Sequence, residues 1–199
     1  IILGGNPPYN ILWETGETID SIINLSPGTY QVIVTDSFNC IDSLDIVISE
    51  PDSLKANPIL VKNVSCFNGT DGMATAMPIG GNGGYMYSWG LYFDQLNDTA
   101  KYLRADEYKI TITDIKGCVD SSSIVITQPT QLEINSVNIT NVSCFAGSNA
   151  EICIGVTGGT PIYQYLWSNS DTVTTNCNTG MPMGEYHIIV KDNNDCKVD

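Results

Sequence analysis

Histidine occurs once in this 199-residue chain, and no Cys-x-x-Cys pair occurs at all. The usual zinc sites are therefore not expected, and His187 is the only imidazole for a Ser-His-Asp type of hydrolase. His187 follows Tyr186 on an alternating stretch and has no candidate nucleophile nearby in sequence, so catalysis is not expected there. Basic residues are also scarce: eight Lys and Arg stand against 22 Asp and Glu, a net charge of −14. That field repels phosphate backbones and anionic bilayers, which makes nucleic acid and membrane surfaces poor partners. No run approaches the roughly 20 apolar residues of a spanning helix, so direct membrane insertion is not expected. Nor does any segment hold a helical period.

What the chain does have is repetition. "YNILW", "YMYSW" and "YQYLW" end at Trp13, Trp89 and Trp167. Tyr30, Tyr108 and Tyr186 are 78 residues apart, as are Asp36, Asp114 and Asp192, and Cys40, Cys118 and Cys196. Pro51, Leu54 and Cys66 return one period later as Pro129, Leu132 and Cys144. A fixed period implies one module per unit, and about 78 residues suffice for a small core of its own. The division expected is 1–51 as a first repeat lacking its N-terminal strands, 52–129 as a complete repeat, and 130–199 as a third repeat lacking its last strand. The chain then reads as a window on a longer protein.

Within the complete repeat, "MATAMPI" and "EYKITITD" alternate with period two, Gly/Asn/Asp turns separate the runs, and Pro58 favours a sheet edge. Six or seven such strands predict an all-β fold, an antiparallel β-sandwich. Tyr85, Tyr87 and Trp89 share a face. Either that face is the inner face of a central strand with Trp as its plug, or it is a platform for stacking sugar rings. The recurrent Asp of "D-x-x-x-C" is expected to shape a turn through local amide hydrogen bonds. Calcium is the competing reading, with Asp192 and Asp195 of "DNND" as the candidates, although the ordered spacing of an EF-hand loop is missing. No other cofactor is expected.

The seven cysteines follow the repeat. Cys66 and Cys118 recur as Cys144 and Cys196, both pairs 52 residues apart, which predicts one disulfide within each repeat. Cys40 would then pair outside the chain. Cys153 and Cys177 stand where the second repeat has Thr75 and Thr99, as expected of a facing cross-strand pair. Disulfides place the protein in an oxidising compartment, at the cell surface or beyond. Asp followed by Ser or Thr and an aliphatic or small residue marks Ser21, Ser43, Ser53, Thr99 and Thr172 as candidate O-glycosylation acceptors, resembling the motif of Bacteroidota surface proteins.

Three segments, "NVSCFNGTDG", "GGTPIYQYLW" and "GTYQVIVTDSFNC", make the units resemble the SprB repeat of large surface adhesins of gliding Bacteroidota. "GTYQVIVTD" alone also fits PKD and other immunoglobulin-like modules. Asp106 stands where Gly28 and Gly184 occur, and Asp tolerates the left-handed backbone a turn glycine supplies. The resemblance implies tandem immunoglobulin-like sandwiches in a secreted, non-catalytic, extracellular array exported by type IX secretion. Such an array would serve as a disulfide-stabilised spacer or stalk in adhesion or gliding. Its partners would be neighbouring repeats and an outside surface, a polysaccharide or other surface proteins. The alternatives are a carbohydrate-binding module and a spacer attached to a secreted glycoside hydrolase.

Overall fold

The computed structural model describes residues 1–90, 96–169 and 174–199, and every regular element among them is a β-strand. No helix among the described residues is long and apolar enough to cross a membrane. The chain forms two compact units, Ile1–Asp52 and Ser53–Asp199.

The first unit holds β1 (Asn10–Trp13), β2 (Gly28–Thr35) and β3 (Ile41–Ile48) in one antiparallel sheet of that order. Register sets Trp13 opposite Val32 and Ile11 opposite Val34, so period-two side chains collect on one face. Those residues, with Leu44, Ile46 and the N-terminal Ile1 to Leu3, line a groove of about 720 Å³.

The second unit contains two sandwiches. In the first, β4 (Pro58–Lys62), β5 (Gly72–Ala76), β6 (Met86–Gly90), β7 (Thr99–Leu103), β8 (Asp106–Thr113) and β9 (Val119–Ile126) sort into sheets β4-β5-β7 and β6-β8-β9. In the next, β10 (Glu133–Thr140), β11 (Ala150–Thr157), β12 (Gln164–Trp167), β13 (Cys177–Met181), β14 (Ile188–Lys191) and β15 (Lys197–Val198) repeat the pattern as β10-β11-β13 and β12-β14-β15. Strands one, two and four on one sheet, with three, five and six on the other, give the immunoglobulin-like order. Pro58 opens an edge strand, where its missing N–H costs no ladder bond. The third repeat is not without its last strand: Lys197 and Val198 begin it, pairing with Lys191 and Val190.

Packing follows from volume. The inner face of β5 and β7 offers Ala74, Ala76, Ala100 and Leu103, and the facing sheet fills the space above these small residues with Trp89, Tyr108, Ile110, Ile112 and Ile126. Ile154, Trp167 and Val190 are the buried centre of the next sandwich. A tyrosine near the start of the fifth strand ties back four residues in each repeat. Tyr30, Tyr108 and Tyr186 donate to the carbonyls of Ser26 (2.8 Å), Arg104 (3.2 Å) and Pro182 (2.7 Å). This is the tyrosine corner of immunoglobulin-like sandwiches. The positions just before it need no left-handed backbone, contrary to the expectation for Asp106. Gly28, Asp106 and Gly184 all lie outside the positive-φ residues, and Gly28 and Asp106 simply open strands.

Candidate functional site

The recurrent aromatics are interior. Trp13, Trp89 and Trp167 are 9, 2 and 5 % exposed. Each indole N–H donates inside its own repeat, to the carbonyls of Ile19 (2.9 Å), Asn97 (3.1 Å) and Thr175 (3.1 Å). Tyr9, Tyr85 and Tyr163 likewise donate to the carbonyls of Gly4, Gly80 and Gly158 at 2.7–2.8 Å. A sugar platform needs open ring faces, so the three Trp residues cannot form one without unfolding.

The recurrent aspartates build turns. Asp36, Asp114 and Asp192 are 6, 1 and 3 % exposed. In each, Oδ1 accepts the amides two and four residues on: Phe38 and Cys40, Lys116 and Cys118, Asn194 and Cys196. Oδ2 accepts an amide from the glycine-rich loop, from Asn6, Asn82 or Thr160. The residue before each cysteine is left-handed, and Asn39, Gly117 and Asp195 fill that position. Asp195, one of the calcium candidates, is thus the Asx equivalent of a turn glycine, and both oxygens of Asp192 already bind amides.

At Asp36 and Asp114 these bonds lower the carboxyl pKa. Burial pushes the Asp114 carboxyl up, but the Asn82 side chain and amide, with the amides of Cys118 and Lys116, outweigh it and hold it well below the ordinary 3.8. Asp36 is also lowered, first by the Cys40 amide. Asp71 is lowered by the Lys62 ammonium at 2.6 Å and by Ser65. A carboxyl lowered in the folded state stabilises fully above its unfolded value and loses that contribution as pH falls through the folded one. The melting temperature should therefore be flat above about pH 5 and fall steadily below pH 4. Asp114→Asn should be less stable at pH 7 yet show a shallower acid decline. A melting curve taken at each pH from 7 to 2 checks both, and a flat profile would contradict the role given to these carboxylates.

Cys153 and Cys177 face each other across β11 and β13 and are bonded, with Cα atoms 4.0 Å apart. Thr75 and Thr99 hold the same register in the second repeat, their hydroxyls 3.2 Å apart. Glu151 reaches this pair, but its two sulfurs are spent on each other. The other disulfide is not the one expected. Cys66 bonds Cys196, 130 residues away in the following repeat, while Cys118 and Cys144 are free, as is Cys40.

The cause is the length of β9. The loop carrying Cys66 is tied to the far end of that strand: Val64 donates to the Thr127 carbonyl, Thr127 to the Asn63 side chain, and Asn68 to the Gln128 side chain. Cys118 immediately precedes the strand's other end, at Val119. Eight extended residues put roughly 25 Å between those ends, whereas disulfide Cα atoms lie within about 7 Å. A bond inside the repeat is therefore out of reach.

The Cys196 turn, by contrast, lies where the next repeat begins. Gly159 donates to the Thr130 carbonyl, and a Cβ on Gly159 would sit 2.7 Å from Asp192 Oδ2 and 3.1 Å from Leu132. Gly158, at φ +73°, lets the Gln131 carbonyl come within 1.7 Å of where its Cβ would stand. The linker is thus pressed onto the third repeat, and it delivers the Cys66 loop to the Cys196 turn. Asn194 Nδ2 donates to the Ser65 carbonyl at 2.9 Å across that junction. A cleft of about 440 Å³ runs beside the bond, between Phe67 and Asn68 on one side and Leu132 and Lys197 on the other. Sequence reading missed Asn194, Ser65 and Gly158. The recurring Gly-Gly pairs at Gly80 and Gly158 mark a tight backbone but not what approaches it.

Of the glycosylation candidates, Ser21, Ser43 and Ser53 are exposed, while Thr99 is half-buried against Thr75. Thr172 lies outside the described residues. His187 is exposed, and its amide donates to Ser168 Oγ.

Residues 60–90 and 136–172 match the SprB repeat. Both matches run from the first strand through the Cys66 or Cys144 loop to the core Trp. No curated protein matches the chain. Among solved structures, the N-terminal eight Ig domains of Down Syndrome Cell Adhesion Molecule are similar at 10% identity and a TM-score of 0.39, over 94% of this chain and 31% of that one. Extracellular domains 3-5 of Drosophila OTK share 11% identity at a TM-score of 0.29, over 95% of this chain and 83% of that one. Extracellular cadherin domains 1-4 of Protocadherin Gamma B7 share 11% at 0.29, over 98% and 63%.

Proposed function

We propose, from the SprB repeats this chain carries, that it is a non-catalytic segment of a large secreted cell-surface adhesin or filament, acting as a disulfide-stabilised spacer. The division into 1–51, 52–129 and 130–199 belongs to this reading. So do extracellular placement, export by type IX secretion, a role in adhesion or gliding, and glycans on the exposed Ser21, Ser43 and Ser53. Its partners are neighbouring repeats and an outside surface or polysaccharide.

One observation carries the proposal: what recurs is structural. The Trp, Tyr and Asp that return at each period are all hydrogen-bonded within their own repeat, and the Trp and Asp are buried. Repetition here preserves a module, not a shared constellation of exposed groups. The carbohydrate-binding alternative loses its main support with the burial of the three Trp residues.

Intact mass and end sequencing of the native secreted protein test the reading. Many further 78-residue units without an enzyme domain are expected. A short chain ending in a catalytic domain would make this segment a linker and overturn the proposal.

A further inference from the structure

We propose that the Cys66–Cys196 bond is one rung of a ladder, in which the early cysteine of each repeat is bonded to the late cysteine of the next. The array is then a chain of domains, each stapled to its neighbour at their shared junction.

Three observations converge on this. The early and late cysteines of one repeat sit at opposite ends of its last full strand, too far apart to meet. The early-cysteine loop lies at the exit of its repeat, and the late-cysteine turn lies at the entry of its own, so consecutive repeats bring the two together. The third observation concerns the free thiols. Every residue that the rule uses recurs with the period, and a step of 130 residues in the direction the rule requires carries Cys40, Cys118 and Cys144 each beyond residues 1–199. Those three, and no others, are unpaired. Pairing within repeats would instead have left Cys66, Cys118, Cys144 and Cys196 all bonded inside this chain.

The junction is shaped for the bond. The short linker is fixed by Gly158 and Gly159, and Asn194 bridges to Ser65 beside the sulfurs. Cys40 and Cys118 occupy the same Asp-based turn as Cys196, with their amides on the same aspartate oxygen. Cys144 occupies the same tight turn as Cys66, with Gly147 donating to its carbonyl as Gly69 does to that of Cys66. Forming each rung removes two thiol protons and two electrons and makes one S–S bond. The acceptor is a disulfide oxidant of the oxidising compartment, which leaves as a dithiol.

The mechanical consequence is specific. A pulled chain cannot release the residues between Cys66 and Cys196 while the bond holds, although most of both cores lies inside that loop. Reduction should therefore make roughly 430–470 Å of further extension available in total when the 199-residue chain is stretched. Rungs confined to single repeats would release roughly 170–190 Å each.

The deciding experiment is a peptide map of the unreduced chain with free thiols blocked beforehand, read by mass spectrometry. A linked Cys66/Cys196 peptide, with blocked Cys40, Cys118 and Cys144, is expected. A Cys66/Cys118 or Cys144/Cys196 peptide would overturn the ladder. The same map on the native protein should return bonds 130 residues apart throughout, and 52-residue bonds there would also overturn it. The extension of the rule beyond this chain rests on the array reading, but the map of residues 1–199 does not, so the two can fail separately.

Discussion

Cys66→Ser is expected to lower the melting temperature of the Ser53–Asp199 unit by roughly 10–20 °C, and Cys196→Ser to match it. The bond closes a loop of 130 residues, which in the chain-entropy account contributes about 4–5 kcal/mol whether the two repeats unfold together or in turn. For sandwiches of this size that is comparable to the whole stability of one repeat. Cys118→Ser and Cys144→Ser should leave the melting temperature within a degree or two of the parent, because neither thiol is bonded. This asymmetry is the informative part. Bonding within repeats would make Cys66→Ser and Cys118→Ser equivalent, and equal losses in calorimetry would refute the junction staple.

Why the sequence pointed to the wrong partner is itself physical. The two separations, 52 and 130, differ by one period of 78. Any regular array satisfies both equally, so periodicity alone cannot choose. The choice depends on which end of the sandwich each cysteine occupies, and that follows from counting the eight residues of β9 between them. The Thr75/Thr99 and Cys153/Cys177 substitution was legible because a cross-strand contact is local to one sheet and needs no such count. The strands themselves were legible for the same reason, since their period-two alternation is a property of each segment. The role of Asp195 was also within reach. Setting Asn39, Gly117 and Asp195 in register shows three residue types that share a tolerance for the left-handed backbone, and only one of them is a strong cation ligand. The junction around Gly158 was not legible, because the carbonyl it accommodates belongs to a linker whose path depends on both neighbouring sandwiches.

Trp89→Ala should destabilise the second repeat by about 3–5 kcal/mol, enough to unfold most of it at moderate temperature. Trp89 fills the space above Ala74, Ala76 and Ala100, residues too small to close the resulting cavity by moving inward. Its indole also satisfies the Asn97 carbonyl, which the substitution leaves without that donor. Trp89→Phe keeps part of the volume and loses the hydrogen bond, so its cost should be clearly smaller. Trp167→Ala should do the same to the third repeat, whose core shares no residue with the second. Thermal unfolding followed by tyrosine and tryptophan fluorescence should then split into two transitions in either variant, one lowered and one retained. Separate cores make local loss possible, but the junction bond ties the unfolded partner to the folded one. Reducing that bond should leave the retained transition nearly in place in each Trp variant. If the intact repeat instead melted along with the damaged one, the linker and the Asn194–Ser65 contact would carry folding energy between domains, and the spacer would behave as one cooperative rod.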